Sequence, residues 1–180
     1  MLITIDISKA IMGFKKTSDL VAVSFDLVES APNTFTQEEI ALQLDVLNNE
    51  IAVVVACDLN IQPPDAITAT NTDVRATVSS TEQLVGPATL ANSNTIALAR
   101  QFIQASGFVD GGVGFTESAG EAVLGNLEYI ALIATNNFFV SVQGQNNVAP
   151  KGVSGRLWLY RAKADASTYA ALVQSEVLSS

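Results

Sequence analysis

The chain has 180 residues, 48% hydrophobic and only 15% charged, with 9 Lys and Arg against 18 Asp and Glu and no histidine. Without His there is no Ser-His-Asp or Cys-His relay, no imidazole metal ligand and no imidazole pH switch. A net charge of −9 argues against a surface that tracks nucleic acid throughout, and so apolar a chain can bury a core rather than stay disordered.

In chain order, period-two alternation dominates. Ile3, Ile5 and Ile7 share one face of a first strand, opposite Thr4, Asp6 and Ser8. Val21, Val23, Phe25 and Leu27 make a second, and Ile40, Leu42, Leu44 and Val46 a third. Ile51, Val53, Val55, Cys57, Leu59 and Ile61 then face one way. The other face drifts from Ala52 and Val54 to Asp58 and Asn60, so one end of this strand is expected covered on both sides and the other wet. Pro63-Pro64 stops it. A short strand follows over 74–80, with Arg75 and Thr77 outward. Residues 95–105 fit a strand better than the helical stripe that Ile96, Ala99, Arg100 and Ile103 also allow. The glycines of 107–114 read as a turn or bulge; 127–134, 137–143 and 153–163 read as strands. Residues 165–178 are the one convincing helix, capped by Asp165 or Ser167, with Ala166, Tyr169, Leu172, Val173 and Val177 as its stripe. Asn48-Asn49 and Asn136-Asn137 each suit a tight hairpin turn.

These elements predict an all-β fold, an antiparallel two-sheet sandwich of jelly-roll type with eight or nine strands and a short C-terminal helix. An up-and-down barrel is the alternative. One domain over 1–180 is expected, with 1–16 as an N-terminal strand or arm and 165–178 as the helix. The N-terminus lacks the pattern of a signal peptide, and no run approaches ~18 apolar residues, so the chain reads as made in the cytoplasm without membrane insertion.

No residue constellation names a reaction, so no enzyme activity and no cofactor is expected. Cys57, the only cysteine, alternates with valines and reads as a buried hydrophobe. Ser154 in Gly152-Val153-Ser154-Gly155 lacks nucleophile-elbow spacing and a base. Asp110, Glu117 and Glu121 flank one glycine-rich region and could meet as an acid/base pair or a calcium site, although solvated loop acids are the simpler reading. Positive charge gathers at the two ends: residues 1–16 and 151–180 each sum to +2, leaving −13 between them. Lys9, Lys15, Lys16, Arg156, Arg161 and Lys163 are the candidates to face nucleic acid, Arg156 sharing a strand face with Trp158 and Tyr160. Pairing of those arginines with neighbouring carboxylates is the simpler reading.

Ser, Thr, Asn and Gln number 50, against 27 charged residues. Interface cores are depleted in Lys, Glu and Asp, so such a surface can be covered by copies of itself at low desolvation cost. Tyr169, Leu172, Val173 and Val177 of the helix are the interface candidates.

A His-free, cysteine-poor β chain of this size, ending in the strand Gly155-Arg156-Leu157-Trp158-Leu159-Tyr160-Arg161-Ala162-Lys163 and a helix, resembles the single jelly-roll capsid proteins of small icosahedral viruses and phages. The resemblance covers Ile3 to Lys163 by strand pattern. It implies a structural protein of the virion, synthesised in the host cytoplasm, self-assembling into a large homo-oligomer with other virion proteins as further partners. Such families often carry a longer basic arm; only Lys9, Lys15 and Lys16 match it here, which implies weak nucleic-acid contact. A phage tail-tube, baseplate or decoration protein, or a ligand-binding jelly-roll module, are the alternatives.

Overall fold

The computed structural model describes residues 13–120 and 127–178. The strand expected over Ile3–Ile7 lies outside them, as do Lys9 and Glu121. The described strands are β1 (Phe14–Lys16), β2 (Val21–Val28), β3 (Thr36–Ala41), β4 (Glu50–Ile61), β5 (Thr72–Ser79), β6 (Thr95–Gln104), β7 (Val113–Ala119), β8 (Ala131–Ile133), β9 (Asn137–Gln145) and β10 (Gly152–Ala164), followed by helix α1 (Ala166–Leu178).

They form two antiparallel sheets. In sheet A, β10 is flanked by β4 on one side and by both β1 and β2 on the other, with β8 beyond β4; sheet B runs β3-β9-β5-β6-β7. The pairing is nested: β2 with β10, β3 with β9, β4 with β8, β5 with β6. A ribbon folded back on itself and then rolled gives this order, the first strand beside the last and each later pair one step inward. The fold is a jelly roll.

Alternation succeeded where one parity alone is apolar. Phe25 of β2, Val74, Ala76 and Val78 of β5, Val140 and Val142 of β9, and Leu157 and Leu159 of β10 all enter the core between the sheets. Phe25 meets Phe138 edge-on there, ring centres 6.0 Å apart. Residues 95–104 are a strand, as the pattern favoured.

Four expectations give way. First, β4 does not present Ile51 through Ile61 on one face. Its register with β10 slips so that Leu159 faces Val54 and Trp158 faces Ala56, leaving Val55 as a bulge. Side chains change faces at that point. Ala52, Val54, Cys57 and Ile61 enter the main core, whereas Ile51 and Val53 join a second cluster under α1. The expectation of two covered faces at one end still holds: residues 51–54 are all buried, and Asp58 and Asn60 are exposed. Second, β3 covers 36–41 rather than 40–46. Leu42 and Leu44 are buried on an irregular segment where Gln43 has φ +53°, and 46–48 form a 3-10 turn. Third, neither asparagine pair makes a hairpin. Asn49 does take the positive φ of 56°, but its turn carries the chain from sheet B to sheet A. The turn at Asn136 carries it back, its carbonyl and side-chain oxygens accepting from the Leu42 and Leu44 amides. Fourth, the 113–119 strand was not expected at all.

Candidate interaction surfaces

Helix α1 lies on the outer face of sheet A. Asp165 caps it, its Oδ1 accepting from the Thr168 amide at 2.8 Å. Tyr169, Leu172 and Val173 pack against Ile51, Val53 and Ala162. The stripe read as a contact between copies is therefore used within the chain, because a helical stripe states that it will be covered but not by what. Val177 lies outside that cluster and is exposed. On the same helix Glu176 is buried, its two carboxylate oxygens accepting from the Ala134 and Thr135 amides at 2.9 and 3.0 Å. Burial pushes this carboxyl above its ordinary value, against those hydrogen bonds.

The described basic candidates separate into three places. Arg156, Trp158 and Tyr160 share the outer face of β10, as expected. Trp158 donates its indole N–H to Asp58 at 2.8 Å, and Arg156 stands opposite Asp58 in register. Arg156 also borders a shallow recess of about 460 Å³ with Ser24, Asn60 and Ser154. Tyr160 is half-buried in the cluster under α1 with Lys16 over its ring at 4.7 Å, so Trp158 and Tyr160 do not form one open stacking platform. Lys15 and Lys163 are direct cross-strand partners. Arg161, two residues along β10, ion-pairs with Glu50 at 3.7 Å.

The remaining chemical candidates have structural roles. Cys57 is buried in the core, and desolvation, helped by neighbouring Asp58, raises its thiol to about 12. Ser154 and Gly155 are strand residues. A side chain at Gly155 would meet the Asp58 carbonyl at 2.4 Å and the Phe25 ring at 2.6 Å, so glycine lets Phe25 lie across the strand. Glu117 is engaged by Arg100 at 3.7 Å, and Asp110 is exposed on the preceding loop. Among the described residues no group of three or more His, Cys, Asp or Glu side chains is placed to hold a metal ion.

One polar cluster escaped the sequence reading. At one end of the roll, Glu29 is only 4% exposed and accepts from the Gly144 and Lys151 amides at 2.6 and 2.8 Å. Buried Asn147 accepts from the Asp65 amide and donates to the Asp73 carbonyl, while its backbone exchanges hydrogen bonds with the Asn33 side chain. Lys151 reaches Asp65 at 2.5 Å, and that hydrogen bond, with another from the Val148 amide, holds the Asp65 carboxyl below its usual range. Three connections, β2–β3, β4–β5 and β9–β10, are thereby fastened together. Each partner stands far away in sequence, 82 residues for Asp65 with Asn147 and 122 for Glu29 with Lys151, so no local pattern announced them.

No protein-family model matches the sequence, and no curated protein does either. Among solved structures, the chain is similar to one from desmodium yellow mottle tymovirus at 14% identity and a TM-score of 0.32, covering 83% of this chain and 91% of that one. It is also similar to apo chimpanzee polyomavirus VP1 at 9% identity and a TM-score of 0.34, covering 84% of this chain and 100% of that one. The jelly-roll assignment rests on the nested strand pairing.

Proposed function

We propose that the chain is a structural shell protein that assembles with copies of itself into a viral capsid, and that its place is the virion. The observation that carries this reading is the chemistry of the loop tips. Leu47, Val85 and Val148, on three separate connections of the roll, are 93%, 92% and 76% exposed, and Leu84 beside Val85 is nearly as open. Connections ordinarily carry turn-forming polar residues at the surface. Large aliphatic groups held out there are suited to burial against neighbouring subunits, at roughly 1.5–3 kcal/mol for each side chain fully covered. The low charge of the chain supports the same reading, since few groups lose hydration when surfaces meet.

The mechanism is mechanical. The two sheets and the cluster under α1 make a stiff block, and the fastened connections hold the loops in fixed relation. Association then sums apolar burial over several contacts rather than one. With few charges to screen, assembly is expected to survive moderate salt. Negative-stain electron microscopy of the purified protein tests the reading. Closed shells support it; tubes or rings favour a tail or baseplate component; a stable monomer at micromolar concentration overturns it.

A further inference from the structure

We propose that the open half of the outer face of sheet B is a binding site for a neutral saccharide. Two cross-strand rows build it. Gln143, Arg75, Arg100 and Glu117 stand in register across β9, β5, β6 and β7, and Gln145, Asp73, Phe102 and Phe115 form the next row. Buried Asp73 accepts from Arg75 Nε at 2.8 Å and from Arg100 Nη2 at 2.8 Å, so one carboxylate orients both guanidinium groups. Arg100 also lies over the Phe102 ring at 4.5 Å, and Phe102 stacks on Phe115 with centres 5.0 Å apart and planes 20° apart. The stack ends at Phe115, which is 44% exposed on the edge strand.

Beside these rows is a recess of about 360 Å³, lined by Asn33, Asp73, Arg75, Gln143, Gln145 and Asn146. The other half of this face is covered by the connection from β5 to β6, tied down where Thr77 Oγ1 donates to the Ala88 carbonyl and the Gln83 amide donates to Gln37 Oε1. The chemistry selects the ligand. Arg75 and Arg100 balance Asp73 and Glu117, so an ionic ligand finds no net countercharge. The Gln143 and Gln145 amides offer donors and acceptors in both senses, beside Asn33, which is engaged with the Asn147 backbone, and Asn146, which donates to the Asn71 carbonyl; this suits hydroxyl groups and not an apolar body. The Phe stack offers a flat apolar surface for the C–H face of a sugar ring. From β7 to β9 the rows span about 14 Å at ~4.8 Å per strand, the reach of a di- or trisaccharide. Because Asp73 already holds both arginines, little ordering is required on binding.

Saturation-transfer difference NMR reads the ligand's signals, so it applies whether the protein is assembled or not and stands apart from the shell proposal. The probes are maltose, cellobiose, lactose and N,N′-diacetylchitobiose, each at millimolar concentration. At least one is expected to show saturation transfer, strongest at its ring C–H protons. Phe115→Ala and Gln143→Ala, both at surface positions and checked for unchanged melting, are each expected to weaken that binding about tenfold. The absence of transfer to all four, or transfer that both variants leave intact, overturns the site.

Discussion

Strands β4 and β7 belong to the same roll and meet solvent in opposite ways. The first half of β4 is buried on both faces, one against sheet B and the other beneath α1, and its bulge at Val55 divides its side chains between two clusters. Among the described strands β7 pairs with β6 alone, and its residues from Val113 to Ser118 are exposed. The connection leaving β4 is fastened through Asp65 to Lys151 and Asn147, whereas the one entering β7 turns at Gly107 and Gly111, where a side chain would meet open space. Stability is concentrated around β4, and surface chemistry is left open at β7.

Breaking the buried side of this contrast gives the largest effect. Ile51→Ala empties a fully buried site under α1 and is expected to cost about 3 kcal/mol, read as a lower urea midpoint with an unchanged slope. Val173→Asp acts on the same cluster and should lower the melting temperature rather than only disturb contacts between subunits. Next comes Glu29→Ala, which leaves the Gly144 and Lys151 amides without their acceptor; a loss of about 2 kcal/mol is expected in the same urea titration.

The Asp65 prediction concerns pH. Its carboxyl is held below its ordinary value by Lys151 and the Val148 amide, so the stability it contributes is present above that ordinary value and is lost as pH falls through the lowered one. In an acid melt, Asp65→Asn is expected to lower the neutral-pH plateau by about 1 kcal/mol and to flatten part of the acid limb. The smallest effect belongs to β7: Val113→Thr should change stability by less than ~0.5 kcal/mol, and a larger loss would show that β7 is covered.

The same contrast explains what could be read from the sequence. β2, β5 and β10 were legible because each shows polar residues opposite its apolar core face, although in β5 only Arg75 of that polar face is exposed and Thr77, expected outward, is buried beneath the β5–β6 connection. Around Val55 both parities of β4 are apolar, so the bulge left no trace in the pattern. β7 was missed because alternation records burial, and in β7 only Val113 and Phe115 interrupt exposed small and polar residues. Asn49 was correctly a positive-φ position, but a turn residue does not say which sheet receives the next strand. The helix was legible to within a residue, and its stripe was placed on the wrong partner for the same reason. The basic residues were visible as a tally only; the register of β10 with β1 sets Lys15 opposite Lys163, and its register with β4 brings Glu50 within reach of Arg161.

The proposed assembly joins stiff blocks through their apolar loop tips. Sedimentation velocity on the wild type and on the double variant Leu47→Lys/Val85→Lys tests it most directly, with melting temperature as the control for folding. A large, uniform particle is expected for the wild type and a folded monomer with unchanged melting for the variant. A wild-type monomer, or a variant that sediments as the wild-type particle does, would contradict it.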